Sequence, residues 1–308
     1  RDKHVTGVQT CALPISSYST PGQRTFYYLY LFFCGTVFFF LIAPLVAIVP
    51  ISFSKSPFML FTDGMLAFPP DPEAWSFRWY RYMVGICTDK YLTTPCSNKW
   101  MVGTVNSFFI GFTATFFATA LGTLAALGLS RPHMPFKGII MSILISPMIV
   151  PLIITSAGMF FFYARYNLVY TFTGIIMAHV ALATPFVVIT VTATLVGFDM
   201  NMVKASQSLG ANPTRTFFKV IMPLILPGVI SGALFAFITS FDEIVIVMFM
   251  ASLDQVTIPR QMWAGIRQEI SPVILCMATC LVVLSIFLLS TVELLRRRSE
   301  RLRGIKTR

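Results

Sequence analysis

The sequence predicts an all-α membrane protein with six membrane-spanning helices. Of its 308 residues 56% are hydrophobic and only 11% charged, and the mean hydropathy is +0.76. Six stretches, 26–51, 102–129, 138–163, 174–197, 224–251 and 272–295, are long and uncharged enough to cross about 30 Å of hydrocarbon. A water-soluble chain of this size would expose too much apolar surface.

An even number of spans puts both termini on one side, and the tail Arg296, Arg297, Arg298, Arg301, Arg303, Lys306 and Arg308 assigns that side to the cytoplasm. Arg131 and Lys137, and then Lys204, Arg215 and Lys219, agree with this orientation. Lys55, Arg78, Arg81, Lys90, Lys99, Arg165, Arg260 and Arg267 fall on the other side, but the first five sit in a long loop beside Asp63, Asp71, Glu73 and Asp89, and long loops weigh little in this rule. The net charge of +11 therefore reads as topology and attraction to anionic membrane lipid, and no nucleic-acid partner is expected.

Residues 1–25 form an N-terminal tail, of which 1–16 read as foreign sequence similar to translated sequencing adapter, the alternative being a natural disordered tail. The first span is too long for the apolar region of a cleavable signal peptide. The loop that follows carries Pro69-Pro70, Asp71-Pro72 and the aromatics Trp75, Phe77, Trp79, Tyr80 and Tyr82 around Arg78 and Arg81, a composition suited to the outer membrane interface. Direct contact with a delivery protein is the rival reading. Cys87 and Cys96 share this loop on the oxidising side and are candidates for a disulfide. Cys34, Cys276 and Cys280 fall within spans and read as packing residues, and no spacing suggests a metal site.

Pro44, Pro147, Pro151, Pro185 and Pro227 interrupt the spans, which is tolerated where helices pack together or line a wet cavity. His179 reads as a hydrogen-bonded packing residue rather than a proton relay. No Gly-Lys dipeptide occurs, so the chain is not itself a P-loop ATPase, and serine-hydrolase and zinc-protease motifs are absent.

Between the fourth and fifth spans lies the polar hairpin 199–223. Asp199 is placed to cap a first short helix, Gly210 to end it in the left-handed region, and Asn212-Pro213 to start a second helix reaching Pro223. This segment resembles the loop of permease subunits of bacterial ATP-driven (ABC) importers, Glu-Ala-Ala, three residues, Gly, nine residues, Ile-x-Leu-Pro. The chain reads Lys204-Ala205-Ser206, then Gly210, then Val220-Ile221-Met222-Pro223, keeping the spacing and replacing the acid by Lys204. The resemblance implies that Lys204, Ala205, Ser206, Leu209, Gly210 and Pro223 couple the permease to a cytoplasmic ATPase. ATP and Mg would then be bound by that partner, with no cofactor in this chain.

Ser240-Phe241-Asp242-Glu243 places two carboxylates roughly 13 Å from the outer end of the fifth span. Such charges are expensive in hydrocarbon, and Asp242 and Glu243 could replace the hydration of a cationic substrate. Alternatively Ser240-x-x-Glu243 is a capping box where the helix breaks at Thr239 and restarts, or the pair serves other packing or ion-pair roles. Together the segments GFDMNMVKASQSLGANP, SFDEIVIVMF and IRQEISPV resemble the polyamine and opine branch of these permeases over about residues 26–300. Arg267, Glu269 and Pro272 in the last segment read as loop geometry.

That resemblance implies the type I importer fold over 26–295 with a basic cytoplasmic tail, 296–308. It also implies ATPase subunits, a second permease subunit and a periplasmic solute-binding protein as partners. The expected function is inward passage of a putrescine- or spermidine-like cation by alternating access. Competing expectations are an opine, thiosulfate or iron-chelate substrate, a gradient-driven secondary transporter, or a structural subunit with no path of its own. No internal repeat supports the secondary transporter.

Overall fold

A computed structural model describes residues 20–86, 98–131, 133–196, 201–268 and 270–302. Cys87 and Cys96, the Asp199 cap and Glu269 lie outside the described residues. The chain divides into two compact units, residues 1–51 and 52–308. The first is carried by α1 (Pro21–Ser52), which accommodates Pro44 and Pro50 without interruption. Its apolar side chains, Phe32, Phe39 and Phe40 among them, are exposed, as suits a helix whose solvent is lipid.

The second unit begins with a short folded segment containing α2 (Asp63–Leu66) and α3 (Arg78–Met83). Its aromatics are not all surface residues: Trp79 is buried and its indole N–H donates to the Ser56 carbonyl at 3.1 Å. Phe53 stacks on Tyr80 at 5.0 Å, and the Tyr80 hydroxyl meets Ser52 Oγ at 2.7 Å. The Cys276 thiol donates to the Ser52 carbonyl at 3.3 Å, a specific role beyond packing. Phe68, Leu66 and Phe77 remain exposed.

The main helices follow: α4 (Lys99–Leu129), α5 (Lys137–Ile149), α6 (Leu152–Ala164) and α7 (Phe172–Val196). After α7 come α8 (Asn201–Ser208), α9 (Pro213–Thr216), α10 (Met222–Phe241), α11 (Val245–Met250), α12 (Ile258–Gln268) and α13 (Val273–Leu302). Five helical stretches are long and apolar enough to cross a membrane, and α5 with α6 makes a sixth if that bent pair counts as one span. The expected span 138–163, read as interrupted at Pro147 and Pro151, is a pair bent by 102°. Pro147 and Pro151 explain the bend, since each removes an amide and Pro151 pushes Val150 into the extended region. Pro185 and Pro227, in contrast, sit inside continuous helices. Residues 296–302 of the basic tail extend α13 rather than forming a separate segment.

The centre of this unit is the mutual packing of α4, α7 and α10. Ala118, Ala126, Ala183, Val187, Val191, Ile225 and Ala236 are buried there. Small residues bring the backbones close, the interface type expected where lipid supplies no hydrophobic drive between helices. A Cβ on Gly122 of α4 would lie 2.6 Å from Val187 Cβ of α7, and one on Gly232 of α10 would lie 2.5 Å from Thr190 Oγ1. One end is latched by side chains of α4. Asn106 Nδ2 donates to the carbonyls of Asp254 (2.8 Å) and Val256 (3.0 Å), and Ser107 Oγ accepts from Ile258 N (2.8 Å).

Gly122→Val should therefore cost roughly 1–3 kcal/mol through overpacking, seen as a lowered Tm of the purified permease in detergent. Gly158→Ala on α6, whose new Cβ would meet nothing within 4 Å, should leave Tm unchanged. Equal melting of the two variants would remove the close α4–α7 contact as a determinant of the fold.

Candidate functional site

Two places in this unit carry the candidate residues. The first is the polar hairpin. α8 ends in a Schellman turn: Ala211 N donates to Ser206 O (3.1 Å) and Gly210 N to Gln207 O (2.9 Å), with Gly210 at φ +76°. The expected left-handed glycine is therefore present. Asn212 caps the next helix as expected, its Oδ1 accepting from Arg215 N at 2.8 Å with Pro213 following.

The second expected short helix is corrected. α9 passes through a π-helical turn, Phe217–Ile221, directly into α10, so that Pro213–Phe241 runs as one rod. Pro223 sits in the first turn of α10, where its missing amide is accommodated by the widened turn before it. Ser206 proves more than a substitute for a small residue: its hydroxyl meets that of Thr216 at 2.6 Å and ties α8 to α9. Lys204 and Ala205 are exposed, and Leu209 at the tip is 88% exposed.

The second place is the interruption between α10 and α11. Helical bonding continues to Asp242, whose amide reaches Ile238 O at 3.0 Å, and resumes at Val245. The anticipated break at Thr239 with a Ser240-x-x-Glu243 capping box is corrected on both counts. Glu243 itself is the cap, Oε1 accepting from Ile246 N at 2.8 Å, and only 7% of the residue is exposed. The two adjacent carboxylates are thus separated in role: Glu243 is turned inward onto backbone, whereas Asp242 is exposed.

Ser240 is occupied elsewhere, its hydroxyl lying 2.8 Å from His179 Nδ1 on α7. His179 is 1% exposed, and its Nε2 is buried with no hydrogen-bond partner. The packing role expected for His179 is what the geometry gives, with a partner 61 positions away that no local pattern could name. Beside the interruption Phe108, Phe112, Phe237 and Phe241 form an aromatic cluster across α4 and α10, Phe108 and Phe241 at 5.2 Å and Phe112 and Phe237 at 5.0 Å. Gly111 makes room for it, a Cβ there lying 3.1 Å from the Phe237 ring. Sequence reading missed this cluster, because the rings are spread over two helices and are unremarkable in a chain with 30 phenylalanines.

A groove of about 680 Å³ runs along α4 and α10 from Phe112 to Leu124 and Met222, reaching Phe217 at the hairpin. Its walls are mostly apolar, and Asp242 is not among the residues that line it.

The comparisons with known proteins fit this arrangement. Residues 118–301 match the family described as binding-protein-dependent transport system inner membrane component. The chain is 26% identical over 268 residues to the spermidine/putrescine transport system permease protein PotC of Haemophilus influenzae, covering 87% of this chain and 96% of that one. It is 28% identical over 250 residues to the putrescine transport system permease protein PotI of Escherichia coli, covering 79% and 81%. A chain of a bacterial ABC transporter involved in the import of the acidic polysaccharide alginate shares the fold, with a TM-score of 0.64 at 16% identity over 92% of this chain and 99% of that one. With helices of membrane-crossing length and the looped-out hairpin already in place, the chain belongs to the family of inner membrane components of binding-protein-dependent transport systems, permease subunits rather than enzymes.

Proposed function

We propose that this permease passes a small organic polycation of the putrescine or spermidine class inward by alternating access, driven by a separate cytoplasmic ATPase that engages the α8–α9 hairpin. The observation that carries the substrate class is an exposed carboxylate at a helix break, in a chain similar to named polyamine permeases over nearly their whole length. Asp242 supplies the counter-charge for an ammonium group stripped of water, and Glu243 holds the break open by capping α11. A solute-binding protein delivers the substrate from the periplasm, and a second permease subunit completes the path. Both termini and the hairpin face the cytoplasm, a reading supported by the basic residues at those places.

Uptake of radiolabelled putrescine by cells carrying the complete importer tests the assignment. Asp242→Asn should lower uptake at least about tenfold, the scale of one lost charge-assisted contact, with the amount of permease in the membrane unchanged. Glu243→Gln keeps an oxygen acceptor for Ile246 N and should retain most uptake, whereas Glu243→Leu should lose about 1 kcal/mol of cap stabilisation and reduce the folded amount. Wild-type putrescine uptake in Asp242→Asn would remove the residue from the path. Uptake that persists after deletion of the ATPase subunit would favour a gradient-driven carrier instead.

Gly210 gives an independent test of the hairpin. A Cβ there would touch nothing within 4 Å, so a substitution reports backbone strain alone. Gly210→Val should uncouple ATP hydrolysis from uptake, and Gly210→Asn, which tolerates positive φ, should largely preserve coupling. Equal uptake by the two variants would mean that the turn geometry is immaterial.

A further inference from the structure

A threonine inside a helix can satisfy its hydroxyl on a carbonyl one turn back. Several here do so, Thr104 on α4 donating to Trp100 O and Thr279 on α13 to Leu275 O, both at 2.8 Å. Thr115, Thr119 and Thr123 of α4 do not. Their hydroxyl oxygens are buried and have no hydrogen-bond partner, and Thr123 as a whole is 6% exposed. Spaced four residues apart, they form a row on one face of α4 with about 6 Å between successive positions. All three line the groove of about 680 Å³, together with Val229 and Ala233 of α10. Phe112 lines it too, one turn before Thr115, and belongs to the aromatic cluster beside the α10–α11 break. A buried hydroxyl without a partner has given up water for nothing and weakens the interface that holds it. An acyl chain of the surrounding lipid offers such a hydroxyl no partner, whereas an ammonium N–H offers it a donor.

We infer that Thr115, Thr119 and Thr123 form a subsite for a linear polyammonium substrate in transit, each hydroxyl oxygen accepting from one ammonium group while the apolar wall takes the methylenes between. The inference rests on the polycation reading of the permease and adds where along α4 the substrate is held. The spacings agree. Two amines joined by four methylenes lie about 6 Å apart when extended, and a triamine with three- and four-carbon spacers reaches about 11 Å, against about 12 Å from Thr115 to Thr123. The oxygens lie beneath the groove surface, and rotation about χ1 by one staggered well exchanges each with a methyl of nearly the same size. The row can therefore turn toward a substrate without backbone movement. A neutral hydroxyl holds an ammonium less strongly than a carboxylate does, which suits a station that must release what it binds.

The test uses the complete importer and the variant T115V/T119V/T123V, which removes three hydroxyls and keeps the packing shape. Tm of the purified importer in nanodiscs should stay the same or rise, because no hydrogen bond is lost and three buried polar groups are removed. Uptake of radiolabelled spermidine by cells should nevertheless fall at least about fivefold at an equal amount of permease in the membrane. T115S/T119S/T123S, which keeps the hydroxyls, should retain most of the uptake. Unchanged uptake in the valine variant overturns the subsite and leaves the groove to lipid. An equal loss in the serine variant overturns it too, since the hydroxyls would not be what matters. So does a lowered Tm in the valine variant, which would mean that the hydroxyls have structural partners. Asp242→Asn separates the subsite from the wider reading: if that variant loses spermidine uptake while the valine variant transports normally, the threonine subsite alone fails, and if both transport normally the polycation reading fails with it.

Discussion

Inside hydrocarbon a backbone amide or carbonyl without a protein partner costs several kcal/mol, and this requirement governs where the chain can depart from helix. The two interruptions within apolar segments both obey it. At the first, Val150 N still reaches Ser146 O, Pro151 has no amide to satisfy, and the Pro151 carbonyl accepts from Ile154 N and Thr155 N. At the second, Asp242 N closes the last turn of α10 and the Glu243 carboxylate accepts from Ile246 N in the first turn of α11. A proline solves the problem by removing a donor, and a glutamate solves it by supplying an acceptor. The first solution leaves no added polar group at the break, whereas the second places a carboxyl group there.

The same requirement shapes the α4–α7–α10 core. Thr184, Thr190 and Thr194 on α7 donate their hydroxyls to carbonyls one turn earlier, at 2.7–2.9 Å, so that these three enter the interface already satisfied, whereas the hydroxyls of Thr119 and Thr123 on α4 and Thr192 on α7 are buried without a partner. Glycines on α4 and α10 then admit these helices to near contact. Close packing by small residues makes the three helices a stiff block, because a displaced helix would have to lift side chains past one another.

How much of this could be read from the residues alone depended on whether the signal was local. Gly210, Asn212 and Pro213 declared the hairpin because each has a backbone reason for its place within a few positions. Apolar run lengths declared the spans for the same reason. The 102° bend was hidden because Pro147 and Pro151 look no different in sequence from Pro185 and Pro227, which continuous helices absorb. Asp242 and Glu243 were singled out together, but their division into an exposed and a capping carboxylate depends on backbone direction at the break. Ser240 was assigned to the local cap because its true partner, His179, belongs to another helix. Ser206 likewise gave no sign that Thr216 would bind it.

The continuity of Pro213–Phe241 links the two candidate sites mechanically. At about 1.5 Å per residue this rod spans roughly 43 Å, with the hairpin at one end and the break before α11 at the other. Two separate short helices would have dissipated a push at Leu209 in a flexible joint above Pro223. The π-helical turn Phe217–Ile221 instead keeps the helix continuous through that region. At the far end the rod terminates where Ser240 is held by His179 on α7 and where the Glu243 cap starts α11. Motion of α10 along or about its axis must therefore either carry α7 with it or break the Ser240–His179 contact, and in both cases Asp242 changes its position relative to the α11 segment.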